Sequence, residues 1–389
     1  MLPTPYTPAS TRNDTRQMIG SPIVAVDARK LGDTGVGQYA RSLLAGLSRA
    51  PDAARYRWRA FSHAPGWSHL TGTPTGMARV TVRAGGYHPA QHLEMGAHLF
   101  AHPVDLFHAT HFTMPLLIPR RTRVIVTIHD VAFFQDPGLA RRRRAQGARL
   151  VAYRLLMHLA AWRADVVCTV TAAAAHDVMC HLPAARGKIR VLPNATPLGR
   201  ADGPADGAPT DVILFVGMVS ARKGVIDLVR AYAGATGAAR ACRLVIAGPG
   251  HDDHVATVRA EVASLGIADR VTLTGPIPDA ALHAWFRRAR VITLPSYLEG
   301  FGLPVLEAMA MGIPCVATDL PVMREVSGGA ALHVPTGDVA ALRDALDRAC
   351  GDEGLRTRMI DEGLSRARLY TVDRLGERGL AIYRDVLGA

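Results

Sequence analysis

Short apolar, β-branched runs alternate with helical patterns along nearly the whole chain, and the series runs twice. In the first half the strand-like runs are Ile23–Asp27, Arg57–Phe61, Val80–Val82, Leu106–His108, Val124–Ile128, Val166–Val170 and Ile189–Leu192. A stretch of low hydrophobicity, Pro197 to Thr210, interrupts them. The series then restarts with Val212–Val216, Leu244–Ala247, Val271–Thr274, Val291–Leu294, Cys315–Ala317 and Ala331–Val334. Helical patterns such as Val36–Ser48, Val225–Ala235, Ala280–Arg288 and Val339–Cys350 lie between. Strands that are apolar throughout, rather than alternating, are buried on both faces. With helices between them they form parallel sheets covered on both sides. Two such sets predict an α/β protein of two doubly wound, Rossmann-like domains facing across a cleft at the carboxyl ends of the strands. The boundaries read as a tail 1–20, an N-terminal domain 21–198, a linker 199–210 and a C-terminal domain 211–370. A final helix, 371–389, is free to pack back on the first domain.

Length and composition fit this scheme. The 389 residues are 49% apolar and 20% charged, enough for two cores without a disulfide or metal staple. The five cysteines (Cys168, Cys180, Cys242, Cys315 and Cys350) have no CxxC spacing and read as reduced residues of a cytoplasmic protein. No apolar stretch reaches the length of a membrane span. Met1 to Gly20 is polar and lacks the apolar core of a secretory signal, so it reads as a mobile tail. Charge is distributed unevenly: residues 1–200 carry a balance of +15 and the remainder −3. An excess confined to one half points to phosphate-bearing partners: nucleic acid, anionic lipid or a phosphorylated substrate.

The strongest chemical constellation is Pro295-Ser-Tyr-Leu-Glu-Gly-Phe-Gly-Leu-Pro-Val-Leu-Glu307. Glu299 and Glu307 are separated by seven residues. Between them Gly300, Phe301 and Gly302 form a glycine turn, Leu303 follows, and Pro304 suits the first turn of a helix. This spacing puts both carboxylates near a helix N-terminus, where unpaired N–H groups and a positive dipole favour a diphosphate. The carboxylates can accept hydrogen bonds from sugar hydroxyls. A basic pair, Arg222 and Lys223, follows the strand Val212–Val216 closely enough to reach the same crevice. His129 and Asp130 end the strand Val124–Ile128, again at a carboxyl edge. Gly35 and Gly37 open a helix after the first strand. As Gly35-Val-Gly37-Gln-Tyr-Ala40 they also fit a relaxed dinucleotide fingerprint, although the next strand ends without a ribose-binding acid. His251-Asp-Asp-His254 has the composition of a metal box, but its aspartates suit a helix start, and no bound metal is expected. Arg141, Arg142, Arg143 and Arg144 form the densest basic cluster and fit either a solvated helix face or an anionic membrane surface. No combination of basic and aromatic residues typical of nucleic-acid recognition is present, so nucleic acid is not an expected partner.

Taken together, these segments resemble retaining glycosyltransferases of the GT-B fold, most closely glycosyltransferase family 4. The Glu–seven–Glu segment carries the likeness. Val216-Gly217-Met-Val-Ser-Ala-Arg222-Lys223-Gly224 is similar to the family's donor-phosphate segment, and Thr274-Gly275-Pro276-Ile-Pro-Asp279 to the loop beside the nucleobase. Thr34–Tyr39, Phe107–His111 and Val126–Asp130 resemble the bacterial mannosyltransferase-like branch. The resemblance places Glu299 on the donor sugar, Glu307 on the ribose, Arg222 and Lys223 on the diphosphate, and His129 beside the reacting sugar. Met218 stands where some members carry an arginine, which leaves the phosphate grip to Arg222 and Lys223. The resemblance implies a nucleotide-sugar donor, with GDP-mannose the first choice, and a lipid-linked saccharide acceptor in polysaccharide assembly. It also implies no cofactor, and a position in the cytoplasm or at the inner face of the membrane. The competing reading is a dinucleotide-dependent oxidoreductase or epimerase using the Gly35 loop.

Overall fold

The computed structural model describes residues 20–388 apart from 34, 71, 84–89, 136–143 and 206–209. The tail and Arg141, Arg142 and Arg143 therefore lie outside the described residues. Seven parallel strands form the first sheet, in the order β3-β2-β1-β4-β5-β6-β7: β1 Ile23–Asp27, β2 Arg57–Ser62, β3 Ala78–Thr81, β4 Leu106–Ala109, β5 Arg123–Ile128, β6 Val166–Thr169 and β7 Ile189–Val191. Six more form the second, β10-β9-β8-β11-β12-β13: β8 Val212–Val216, β9 Arg243–Ala247, β10 Val271–Gly275, β11 Ala289–Leu294, β12 Cys315–Thr318 and β13 Ala331–Val334. Each strand-like run of the sequence lies within a residue or two of an observed strand. The order reverses between β1 and β4 and between β8 and β11. At such switch points the loops diverge and open a crevice. These are two Rossmann-like domains in the GT-B arrangement.

The helix Val372–Leu387 packs against the helix Gly35–Arg49 of the first domain. Gly46 and Gly376 meet backbone to backbone, and a Cβ on either would collide with the other. The contact carries a buried polar anchor. Tyr383 Oη lies 2.6 Å from His108 Nδ1, and His108 Nε2 lies 2.8 Å from Thr127 Oγ1, which Tyr39 Oη also approaches at 3.0 Å. Burial holds the His108 imidazolium pKa down at about 3, so the ring is neutral and completes the chain without a buried charge. Four of the five cysteines are buried, Cys180 is exposed, and all are free thiols. Among the described residues no helix is long and apolar enough to cross a membrane.

Candidate active site

The carboxyl ends of β5, β8 and β11 deliver the central groups. After β11 the chain turns through Pro295 and Ser296 to Glu299, then enters the helix Leu303–Met311. Gly302 caps that helix at φ +87°, a left-handed conformation that suits glycine, and a Cβ there would strike the Met323 side chain. After β8 the chain reaches Arg222 and Lys223 in a short 3₁₀ turn that ends at Gly224, φ +63°. A Cβ on Gly224 would collide with the Pro295 carbonyl oxygen. This close approach, together with the hydrogen bond from Tyr297 N to Arg222 O (2.8 Å), binds the two loops into one unit.

The ammonium of Lys223 therefore pairs with Glu299 Oε1, which also accepts from Ser296 Oγ at 2.7 Å. The two side chains are only 12% and 7% exposed. Burial pushes the Glu299 carboxyl up, but the charge and hydrogen bond of Lys223, with Ser296 and the charge of Arg222, outweigh it and hold it below the usual carboxylate range. Glu299 is thus a buried anion at neutral pH, and Lys223 stays fixed beside it.

Glu307 is half-buried, and among the described residues no basic side chain forms an ion pair with it. Burial and the negative charge of Asp279 push its carboxyl up to about 7, against a smaller opposing effect of Arg41. Arg41 belongs to the helix Gly35–Arg49 of the other domain, where it donates to Gln38 Oε1 at 2.9 Å and to the Leu31 carbonyl. Since the folded chain holds a proton that the unfolded chain releases near 4.5, stability falls as pH rises from about 4.5 to about 7. We expect Glu307→Gln to remove this dependence. Relative to wild type, the variant should gain at most about 3 kcal/mol between pH 4.5 and pH 8, measured from denaturant midpoints. A difference that stays flat with pH would overturn the assignment.

The first domain faces this unit. His129 Nε2 lies 2.9 Å from the Thr110 carbonyl oxygen, which can only accept. Nε2 therefore carries the proton and Nδ1 offers a lone pair. Burial lowers the His129 pKa against the opposing effects of the Thr110 carbonyl and Asp130, and the ring stands edge-on to Tyr39 at 5.0 Å. Gly300 rests on the His129 backbone: a Cβ there would lie 2.5 Å from His129 O and 3.1 Å from Asp130 Cβ. Thr171 Oγ1 donates to Gly300 O at 3.3 Å. Nearby, Glu325 accepts from Ala172 N (2.7 Å) and Ala173 N (2.9 Å) at the start of the helix Ala172–His181. A carboxylate on a helix N-terminus is favourable. The two domains are thus in contact at the site, with the cleft closed.

Other residues singled out in the sequence are placed as follows. Gly35 opens its helix opposite Leu303, with a built Cβ 3.9 Å from Leu303 Cδ1. Gly37 lets that helix pack on the loop after β1, since a Cβ would lie 2.6 Å from Lys30 O. Pro276 is exposed on the loop after β10. Phe301 is buried, its ring edge-on to Tyr370 at 5.7 Å. Asp130 accepts from Ala132 N at 3.0 Å and so shapes its own turn. Arg144 opens the helix Arg144–Arg163. Asp252 and Asp253 occupy the first turn of a helix, and among the described residues no three His, Cys, Asp or Glu side chains are grouped as metal ligands.

Sequence reasoning passed over Ser296, Arg41 and Glu325. Ser296 stands three residues before Glu299 and was legible from that spacing. Arg41 and Glu325 reach the site only across the domain interface and gave no local signal.

The site is thus a buried lysine–carboxylate pair with a second acid, Glu307, in the helix that follows, set in a two-domain GT-B frame. Residues 34–200 match Glycosyltransferase Family 4, and residues 206–366 match Glycosyl transferases group 1. The chain belongs to this glycosyltransferase family. It is 31% identical over 180 residues to an α-D-kanosaminyltransferase of Streptomyces kanamyceticus, a match covering 45% of this chain and 46% of that protein. It is 25% identical over 300 residues to the O-antigen chain mannosyltransferase B of Escherichia coli, covering 72% and 74%. The chain spans about half the length of the curated relatives it matches at 30% identity or more. A sucrose-phosphate synthase of Thermosynechococcus elongatus superposes with a TM-score of 0.74 at 20% identity, covering 94% of this chain and 99% of that one, a likeness of fold.

Proposed function

We propose that this protein is a retaining glycosyltransferase that moves a mannosyl unit from GDP-mannose to a hydroxyl of a lipid-linked saccharide, without a metal or other cofactor. The observation that carries the reading is the buried Lys223–Glu299 pair, on a loop whose Gly300 rests on the His129 backbone across the cleft. An ammonium has three donors, so Lys223 can keep Glu299 and still reach a diphosphate. Charge grows on that diphosphate as the bond from the sugar C1 to the phosphate oxygen breaks, and a preorganised cation there stabilises the transition state. Glu299 accepts from sugar hydroxyls, Glu307 from the ribose, and Arg222 assists on the phosphates. His129, neutral and with Nδ1 free to accept, positions the sugar. The acceptor oxygen bonds to C1 on the face the phosphate leaves, and its proton passes to the departing phosphate oxygen, so no protein base is required. The choice of mannose follows the sequence resemblance and the mannosyltransferase of E. coli. Both family models describe glycosyltransferases, which disfavours the dinucleotide reading of the Gly35 loop.

Thermal shift against a panel of nucleotide-sugars, with NAD as control, tests the class: stabilisation by one nucleotide-sugar and none by NAD is expected. Glu307→Gln should weaken binding of the bare nucleoside diphosphate. Glu299→Gln should spare that binding and lower turnover. Equal calorimetric effects of the two substitutions would undo this division of labour.

A further inference from the structure

The helix Arg144–Arg163 is apolar on two opposite faces. Leu150, Met157, Ala161 and the following Ala164 point inward and are buried. On the other side, at helical spacing, Val151 (65% exposed), Leu155, Leu159 and Trp162 (70% exposed) stand in solvent. The exposed apolar surface continues beyond the helix. Arg163 donates to the carbonyls of Pro119 (3.2 Å) and Thr122 (3.0 Å), which ties the helix end to the loop carrying exposed Leu116 and Leu117. Leu117 in turn packs on Gly96 of the helix Ala90–Ala101, between the exposed side chains of Leu93 and Phe100. Exposed apolar side chains gathered on one flank in this way mark a docking site.

Charge identifies the partner. The helix contains Arg144, Arg149, Arg154 and Arg163 and no acidic residue. Arg120 and Arg121 are exposed beside Leu116 and Leu117, and the sequence just before the helix is Arg141 to Arg143. In a two-fold pairing of such faces arginines would approach arginines with no acid on the helix to offset them. An anionic lipid surface instead accepts apolar side chains below its headgroups and guanidinium groups among its phosphates. We propose that this face docks the enzyme on anionic phospholipid membrane, with Val151, Leu155, Leu159 and Trp162 inserted and the exposed Arg120, Arg121 and Arg149 at headgroup level. The helix begins on the cleft side, beyond the end of β5, and runs about 30 Å down the flank to Trp162. Docking along it sets the cleft mouth beside the bilayer, where a lipid-linked acceptor emerges. The proposal draws its purpose from that reading of the acceptor, but its test does not depend on it.

The full-length protein is sedimented with phosphatidylglycerol or phosphatidylcholine vesicles at 0.1 M and 1 M salt. Wild type should pellet with the anionic vesicles at 0.1 M and much less at 1 M, where the Debye length falls from about 10 Å to about 3 Å. Leu155→Glu combined with Trp162→Glu should lower partitioning at least about tenfold, and Leu155→Ser with Trp162→Ser should do so less strongly. Thermal shift by nucleotide-sugar should be unchanged in both double variants, since neither side chain belongs to the candidate site. Wild type that stays in the supernatant overturns the proposal, as does a Glu variant that pellets equally. A concentration-dependent dimer dissolved by the Glu variant would assign the face to a second copy and also overturn it. Failure of every nucleotide-sugar to bind would sink the proposed activity and leave the vesicle result standing.

Discussion

Replacing Lys223 with alanine is expected to lower kcat about 10²-fold or more, the cost of losing one preorganised charge at a developing anion. The structure adds a second loss. Lys223 is the main counter-charge of Glu299, which burial would otherwise push toward the neutral form. Removing one member of a buried pair typically costs on the order of 3 kcal/mol or more, because the other charge remains buried. The variant should therefore melt earlier as well as turn over slowly, and should bind nucleoside diphosphate more weakly. Combining it with Glu299→Gln should recover part of the stability and none of the activity. That non-additivity is what a directly contacting pair gives in a double-mutant cycle. A Lys223→Ala enzyme with near-wild-type kcat/KM would show that the ammonium does not face the leaving group, and the site would need reassignment.

Gly300→Ala should be nearly as damaging by a different route. The added methyl carbon would lie 2.5 Å from the carbonyl oxygen of His129, a backbone atom with little room to move. The Glu299 loop could then no longer seat against the end of β5, and the two halves of the site would be held apart by about 1 Å. A misplacement of that size at reacting groups costs about 10²-fold in rate. The donor contacts proposed for the C-terminal domain are untouched, so nucleoside diphosphate affinity should change less than threefold while kcat falls. If kcat survives, catalysis does not need the closure seen here. Lost binding with unchanged closure would make Gly300 a donor contact rather than a domain contact.

Much of this molecule is written in short-range chemistry. A buried parallel strand must be apolar on both faces, so central strands such as Arg123–Ile128 and Val212–Val216 show as apolar runs, while the edge strands Ala78–Thr81 and Ile189–Val191 are shorter and carry exposed arginines. The residues that end or follow strands, His129, Lys223 and Glu299, were readable because a doubly wound sheet delivers its strand ends to one edge. Their types, two acids near a helix start and a basic pair after a strand, are those the proposed donor site uses. What the tertiary structure alone decided are distances between loops remote in sequence. The Lys223–Glu299 pair spans 76 positions and exists because Gly224 lets its loop lie directly on Pro295. The pairing, which outweighs burial and holds Glu299 as an anion, and the burial and Asp279 charge that push the Glu307 carboxyl up to about 7, follow from packing that no local pattern encodes. Across the cleft the same holds for Arg41, for Glu325 on the Ala172 helix and for Gly300 on His129. The outward stripe on the Arg144 helix was hidden for a related reason. In sequence its apolar residues are of the same kind as those of the buried face, and only placement against the sheet separates the side chains that found a core from those left for a partner.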